Sequence, residues 1–202
     1  MQMSWPRTIL WCGLILGALG GPALGASSAP PKKAAGRTCQ YKPYFDCLVP
    51  EGWGIMRQPE YSTKVEKVYG LEFLGPRAPS GSIVRIDADY YAPDNGIHES
   101  SDRFIRVVAR LDRAVGLPGE KGTPPERTTF KGRAATKIIR TTYDFVRDTN
   151  NHEKQVTIIE EYLVIPAKEG FYVLEYTAPP ALVKEYRPVF EKFKESFTML
   201  VK

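Results

Sequence analysis

Two histidines, and the carboxylates around one of them, are the residues of this 202-residue chain best suited to bind a metal ion. His98 is followed directly by Glu99, and Asp94 and Asp102 lie within four residues of it. Imidazole together with carboxylates is a ligand set for zinc or manganese. His152 lies in an Asn-rich segment. The sequence therefore offers a metal site at His98, Asp94, Glu99 and Asp102, and the alternative is that both histidines are solvated loop residues.

Motifs of nucleophilic catalysis are missing from the chain. The sequence contains no Gly-x-Ser-x-Gly, no His-Glu-x-x-His and no phosphate-cradling glycine loop. A triad needs a base, and neither His98 nor His152 lies beside a nucleophile motif. We therefore expect a non-enzymatic protein without a cofactor. The alternative is a hydrolase whose residues come together from distant loops.

Paired carboxylates are the remaining groups that could exchange protons with a substrate. Asp87 and Asp89 alternate along one predicted strand, which places them about 7 Å apart on one face. Glu160 and Glu161 lie on a later strand. The alternative interpretation, which we favour, is a solvated strand face on which neighbouring arginines pair with these carboxylates.

A mixed binding surface is predicted on the same strand as the two aspartates. The strand alternates, so Arg85, Asp87, Asp89 and Tyr91 share one face. Tyrosine is common at half-buried sheet positions and also at interfaces, because it offers apolar area and a hydrogen-bonding tip. If this face of the sheet is not fully covered, these four residues form a candidate binding surface.

Two of the three cysteines are expected to form a disulfide. Cys12 lies inside the N-terminal apolar run and leaves with the predicted leader. Cys39 and Cys47 remain, separated by seven residues, which is not the spacing of a CxxC motif. In an oxidising compartment such a pair is a disulfide by default. A redox or metal-binding pair is the alternative.

The first 25 residues have the order of a secretory signal peptide. Arg7 supplies the positive charge, the segment from Thr8 to Leu19 is apolar, and small residues precede Ala26. An apolar run of roughly a dozen residues is shorter than the about 20 that a membrane-spanning helix needs. We predict a signal peptide over residues 1–25, a flexible linker over 26–38, one globular domain over 39–202, and a secreted or periplasmic protein without a transmembrane segment after cleavage.

The positive net charge is concentrated before this domain. Residues 1–37 contain four basic residues and no acidic one, which leaves 24 basic and 23 acidic residues in the remainder of the chain. A nearly neutral domain without an arginine-rich stripe lacks the electrostatic footprint of a nucleic-acid binder. The basic N-terminal residues either help to hold the protein peripherally at an anionic membrane surface or have no role.

Two periodicities predict the elements that position these residues. Alternation predicts strands over 44–49, 65–74, 83–92, 134–146, 155–165 and 171–178. Phe104, Val108, Leu111 and Val115 recur at helical spacing after the capping serines at 100 and 101. A second amphipathic helix is predicted from Leu182 to Phe197, and 121–130 is predicted to be a polar loop. The order indicates an α+β fold in which helices pack on an antiparallel sheet of about six strands.

Two short motifs at the ends of the domain resemble the PsbP-like family, whose bacterial relatives include DcrB-type exported proteins. The first motif is Phe45-x-x-x-Val49-Pro50-x-Gly52-Trp53. The second runs from the aromatic strand 170–176 through Pro179-Pro180 to a helix that ends Phe190-x-x-Phe193-x-x-Ser196-Phe197. In element order the resemblance covers residues 41–200. It implies a three-layer α/β/α sandwich used mainly for binding or assembly.

These observations give one main functional hypothesis and one principal alternative. The main hypothesis is an exported, non-enzymatic module that binds a protein partner or a component of the cell envelope. The alternative is a periplasmic protein that binds a small ligand or a metal in a cleft between the sheet and a helix. A hydrolase is the third hypothesis.

Overall fold

The computed structural model describes residues 36–57, 59–110, 120–147 and 151–201. The predicted signal peptide and residues 26–35 of the predicted linker lie outside these ranges. The first strand begins at Thr38, within the segment predicted as linker. Within the described ranges, no helix is both long and apolar enough to span a membrane.

Eleven strands and three helices make up the described part of the chain. The strands are β1 (Thr38–Tyr41), β2 (Phe45–Leu48), β3 (Gly54–Arg57), β4 (Val68–Arg77), β5 (Ile83–Tyr91), β6 (Lys121–Gly122), β7 (Glu126–Phe130), β8 (Arg133–Arg147), β9 (Glu153–Pro166), β10 (Phe171–Ala178) and β11 (Thr198–Met199). The helices are α1 (Glu60–Lys64), α2 (Ser101–Val108) and α3 (Pro180–Ser196).

An eight-stranded antiparallel sheet forms the centre of the fold. Its strand order is β3-β4-β5-β10-β9-β8-β6, and β7 pairs with β8 as well. The strands β3 to β5 and β8 to β10 are two meanders, and they join where β5 pairs with β10. A smaller sheet of order β1-β2-β11 lies outside this path.

One face of the large sheet is covered by α3. Alternation along β5 sends Val84, Ile86 and Ala88 to this face, and all three are fully buried. Phe190 and Phe193 of α3 are buried against the same core. This face contains the larger of the two hydrophobic clusters, and we call it the α3 face.

The opposite face is covered by α2 over only part of its area, and we call it the α2 face. Ser100 caps this helix by accepting a hydrogen bond from the backbone N–H of Arg103 at 3.1 Å. Phe104 and Val108 bury the apolar stripe of α2 against a smaller cluster that includes Ile138, Val164 and Phe171 on the sheet.

The structure confirms the predicted fold class and corrects two of its elements. The architecture is α+β, with helices on both faces of an antiparallel sheet, but that sheet has eight strands. Residues 121–130, predicted as a loop, contain β6 and β7, because the 15-residue β8 offers each of them an edge to pair with. The first predicted helix ends at Val108, since Arg110 takes a left-handed conformation with φ of 56°. Leu111 and Val115 lie outside the described residues.

Candidate functional site

A row of acidic side chains crosses the α2 face where the helix does not cover it. Glu72 on β4 is the register partner of Asp87 on β5, and Asp87 is the partner of Glu175 on β10. Directly opposed residues of antiparallel strands project from the same face. Three carboxylates from three adjacent strands are therefore neighbours. At the edge, the half-exposed Met56 of β3 pairs with Glu72 and ends the row.

The next row of the sheet adds two arginines and a fourth carboxylate. Arg85 on β5 is the partner of Thr177, Thr177 of Glu160, and Glu160 of Arg140 on β8. We call the six ionisable residues of both rows the charged face: Glu72, Arg85, Asp87, Arg140, Glu160 and Glu175. Four carboxylates share this face with two guanidinium groups.

Arg85 lies among the carboxylates of the first row. Its Nε is 3.5 Å from Asp87 Oδ2 and 3.9 Å from Glu72 Oε1. Among the described residues this Nε is buried and has no hydrogen-bond partner. The side chains of Arg85, Glu72 and Asp87 are 31%, 22% and 14% exposed. This part of the face is consequently half-buried and still open to solvent.

Arg140 and Glu160 form a tighter arrangement at the other end of the charged face. The guanidinium of Arg140 donates to Glu160 through Nε and to the hydroxyl of Tyr162 through Nη2 at 3.2 Å. That hydroxyl in turn donates to Glu160 Oε2 at 2.8 Å. Nη1 of Arg140 donates to the carbonyl of Val108 at 3.2 Å, which ties the sheet to the end of α2.

Burial and mutual repulsion disfavour the charged forms of the two central carboxylates. Burial is the largest cause of the raised pKa of Asp87, the carboxylate of Glu175 raises it further, and Arg85 opposes both. The pKa of Glu175 is raised by burial first and by Glu160 second. Burial works against the charge of Arg85, but Asp87, Glu175 and Glu72 outweigh it and raise its pKa. The arrangement attracts cations and retains protons.

The predicted surface of Arg85, Asp87, Asp89 and Tyr91 does share one face, but the structure divides it. Arg85 and Asp87 belong to the charged face. The buried side chain of Asp89 lies against Gly70 of β4, in the space that a Cβ at Gly70 would occupy.

Tyr91 belongs to an aromatic cluster beneath α2. Its ring stacks on Phe171 with centroids 4.6 Å apart, and the edge of Phe104 meets it at 5.5 Å. These ring contacts place Tyr91 between the sheet and α2, where it packs against Phe104 of that helix.

The four residues predicted as metal ligands are not gathered around an ion site. The ring of His98 packs against Tyr91 and Phe104, and burial, followed by the charge of Arg103, lowers its pKa. Asp94 pairs with Lys67. Within the described ranges no group of three or more His, Cys, Asp or Glu side chains could hold a metal.

Glu99, Asp102 and His152 complete the set of residues with which the sequence suggested metal or acid–base chemistry. All three are exposed, Asp102 in the first turn of α2 and His152 in the turn before β9. A carboxylate in the first turn of a helix stabilises that helix through its dipole. Asp102 is therefore placed to stabilise α2 through its dipole, while Ser100 is the cap.

Cys39 and Cys47 are brought together, as the predicted disulfide requires. They are register partners on β1 and β2, and opposed residues of an antiparallel pair have the Cα separation that a disulfide needs. Both are free thiols in this structure. Burial raises the pKa of Cys47 to about 12 and, to a lesser extent, that of Cys39. Protonated thiols are poor nucleophiles and metal ligands, which disfavours a catalytic or metal-binding pair.

The expected pairing of Glu160 with an arginine is present, at Arg140, but the expected solvation of Glu160 and Glu161 is wrong. Glu160 is 6% exposed and Glu161 is 2% exposed. As neighbours on one strand they project to opposite faces, because side chains alternate. Glu160 lies on the charged face. Glu161 lies on the α3 face, where Arg187 of α3 and Lys137 of β8 approach it at 2.8 and 3.6 Å.

Three members of the charged face were not identified as site residues from the sequence. Glu72 and Glu175 are the single acidic residues in the apolar strand sequences VYGLEFL and FYVLEYTA, and Arg140 lies mid-strand on β8. A charged residue in an otherwise buried strand is a signal of function. The sequence shows these charged residues within apolar strands, but it does not show the strand register that brings them together.

Comparisons with known proteins give a fold likeness and no family. No protein-family model and no curated protein matches the chain. A protein of unknown function from Pseudomonas aeruginosa matches at a TM-score of 0.43 and 12% identity, over 79% of this chain and 93% of that one. LpqN of Mycobacterium tuberculosis, involved in cell envelope biogenesis, matches at 0.44 and 16%, over 83% and 86%. Cyanobacterial PsbP from Synechocystis matches at 0.45 and 12%, over 86% and 98%.

The solved structures that resemble this chain thus include a PsbP, the family that the two end motifs resemble. With every TM-score below 0.5, none of these likenesses carries an argument about function. The function proposed below rests on the geometry of the charged face.

Proposed function

We propose that this protein is an exported, non-enzymatic binding module that holds a basic segment of a protein partner on its charged face. The observation that carries the proposal is the excess of carboxylates over arginines on a half-buried sheet face. Glu72, Asp87, Glu160 and Glu175 outnumber Arg85 and Arg140 by two charges when all are ionised. A lysine or arginine from a partner supplies the missing positive charge.

The excess of carboxylates works against folding. Folding raises the pKa values of Asp87 and Glu175, chiefly by burial. A carboxylate with a raised pKa is less stable ionised in the folded protein than in the unfolded chain. Groups that a fold retains at the expense of its own stability are typical of binding and catalytic sites.

The shape of the face favours a protein segment over a small molecule. The first row is a shallow strip across three strands, and its side chains are partly exposed on the sheet rather than enclosed in a cavity. Long cationic side chains can reach such a strip while their backbone stays outside it. Arg85 is the cation that the protein itself places among these carboxylates, and its buried Nε has no hydrogen-bond partner among the described residues. A cationic side chain of the partner would bind to the same carboxylates.

The proposals of export and of a non-enzymatic role are supported by observations other than the charged face. The order of the first 25 residues is that of a signal peptide, and Cys39 and Cys47 are placed for the disulfide of an oxidising compartment. Each described histidine lies outside the charged face, and His98 packs among aromatic rings. Neither histidine is therefore positioned as a base for a nucleophile on the charged face, as a serine or cysteine hydrolase would require.

Site-specific photocrosslinking in cells that naturally express the protein tests the proposal. A photoreactive residue replaces Met56, which borders the first row, and a second variant carries it at Phe145, which is 60% exposed on β8. We expect a crosslink to one protein from position 56 and none from position 145. The crosslink should disappear in D87N/E175Q and in 0.5 M salt, and the captured protein should carry a cluster of lysines or arginines at the crosslinked peptide.

Three outcomes would contradict this proposal. A crosslink from position 56 that survives D87N/E175Q would show that the acidic groups are not needed. A crosslink to phospholipid or polysaccharide in place of protein would identify a different class of partner. Equal crosslinking from positions 56 and 145 would show contact that is not specific to the charged face.

A further inference from the structure

A cavity of about 350 Å³ lies between the end of α2 and the strands β6 and β8. Val108, Ala109, Pro124 and Ile138 supply its apolar surface. The volume is within the range of pockets that hold small molecules, which are usually mostly apolar with a few polar groups. This cavity adjoins the charged face and shares Arg140 with it, and its other described lining residues are different.

Cations predominate on the polar side of the cavity. In the described part of the lining these are Arg110, Lys121 and Arg140, together with one acidic residue, Glu120. The side chain of Glu120 is 6% exposed and is paired with Arg110, and the hydroxyl of Thr142 donates to it at 3.1 Å. Among the described residues, the positive charges exceed the negative ones by one even when Glu160, which pairs with Arg140, is counted.

Arg140 can bind a ligand without giving up its structural contacts. Its Nε, Nη1 and Nη2 donate to Glu160, to the carbonyl of Val108 and to the hydroxyl of Tyr162. A guanidinium has five N–H donors, so two have no acceptor in the described part of the chain. Those three contacts also hold the guanidinium rigidly, and a rigid planar donor suits a carboxylate or a sulfonate.

We infer that this cavity is a binding site for a small amphipathic anion, with an apolar body against Val108, Ala109 and Ile138 and one acidic group at Arg140 and Lys121. The apolar surface provides the area that a hydrocarbon or aromatic body buries. The excess of positive charge selects an anion over a neutral molecule of equal shape. The site shares Arg140 with the charged face but would take a ligand of the opposite charge, because the charged face holds more carboxylates than arginines.

Two fluorescent probes of similar shape test the inference on the mature protein. The first is 8-anilinonaphthalene-1-sulfonate, which is anionic, and the second is N-phenyl-1-naphthylamine, which is neutral. We expect saturable binding of the anionic probe at one site, with an affinity at least tenfold higher than that of the neutral probe. Equal affinities would overturn the inference, because the site would then not select an anion. Failure of both to bind would overturn it too.

Two substitutions test whether the probe binds in the cavity. A109L fills part of the cavity and is expected to weaken binding of the anionic probe at least tenfold. K121Q removes a charge from the rim and should weaken it about three- to fivefold, as expected for an exposed ion pair. K168Q, at an exposed turn on a different part of the protein, is the matched control and should leave the affinity unchanged. Each variant is first checked for an unchanged melting temperature, and if A109L fails this check, A109V replaces it.

Competition identifies the apolar body of the ligand. Displacement of the probe by decanoate indicates an acyl chain, and displacement by 1-naphthoate indicates an aromatic acid. Displacement by neither acid, or an unchanged affinity in both A109L and K121Q, would show that the probe binds elsewhere and would overturn the inference.

Discussion

Glu160 and Glu161 are adjacent on β9, and both are buried, but the two faces of the sheet treat them differently. Glu161 enters the α3 face, where it meets cations from two other elements, Arg187 on α3 and Lys137 on β8. Glu160 enters the charged face, where one arginine pairs with it and further carboxylates are near. The charge of Glu161 is thus balanced by two cations on the α3 face, whereas Glu160 belongs to a group in which carboxylates outnumber arginines.

This difference separates a structural use of buried charge on the α3 face from the binding use that we propose for the charged face. On the α3 face the ion pairs of Glu161 join the helix to the sheet, and removing its charge would leave the two partly exposed cations without their shared partner. On the α2 face burial and neighbouring carboxylates raise the pKa values of Asp87 and Glu175, so removing these two charges should stabilise the fold. Substitutions on the two faces should therefore change stability in opposite directions.

The largest effect is expected on the α3 face. E161Q removes the charge that Arg187 and Lys137 share, and we expect the free energy of unfolding to fall by about 2–3 kcal/mol, less than for a fully buried pair because both cations are partly exposed. Urea denaturation measures the change. E185Q, an exposed substitution on α3, is the control. A loss no greater than in E185Q would show that the ion pair does not hold the helix.

The cysteine pair offers a second test of the α3 face, because Cys47 belongs to the core beneath α3. We expect the protein purified from its own compartment to contain a disulfide between Cys39 and Cys47. Reduction should then lower the free energy of unfolding by about 2–3 kcal/mol, as the chain-entropy model gives for so short a loop. Mass spectrometry before and after alkylation detects the bond, and C39S/C47S should not respond to reductant. Two free thiols in the native protein would contradict the expectation.

The charged face should give a smaller effect of the opposite sign. D87N/E175Q removes two carboxylates with raised pKa values, and we expect stability at pH 7.5 to increase by about 1–2 kcal/mol, since each pKa unit corresponds to about 1.4 kcal/mol. For a domain of this size the melting temperature would rise by about 2–8 °C. E51Q, in an exposed turn, is the control. A decrease in stability would mean that Asp87 and Glu175 stabilise the fold and would remove the energetic argument for a binding site.

The smallest expected effect is the pH dependence of the difference in stability between D87N/E175Q and the natural sequence. A carboxyl with a raised folded-state pKa contributes stability while it is protonated, and this contribution is lost as the pH rises through the folded pKa. The stability of D87N/E175Q relative to the natural sequence should be near zero at about pH 4, the ordinary pKa of these groups, and should grow as the pH rises. The other charged groups that act on these two carboxyls are unchanged in the comparison: Glu72, Arg85, Asp89, Arg140 and Glu160. Melting curves from pH 4 to 8 measure it, and a constant difference would contradict the assignment.

Local patterns predicted most of the scaffold. Alternation placed β5 at 83–92 against the observed Ile83–Tyr91, and β10 at 171–178 as observed. The amphipathic stripe placed α3, whose Phe190 and Phe193 are buried as expected. Local patterns failed for β6 and β7, since polar residues near prolines became strands only through pairing with β8.

The sequence by itself determined the class of fold, the faces of the strands and the neighbourhood of Arg85 and Asp87, because these follow from periods of 2 and 3.6 residues along the chain. Only the tertiary structure decided which carboxylates meet. Glu72, Asp87 and Glu175 are neighbours because β5 pairs with β4 on one side and with β10, more than 80 residues further along the chain, on the other. The pKa of a carboxyl depends on charges within a few ångströms in space, and strand register, which sets those distances, is not written in any local pattern.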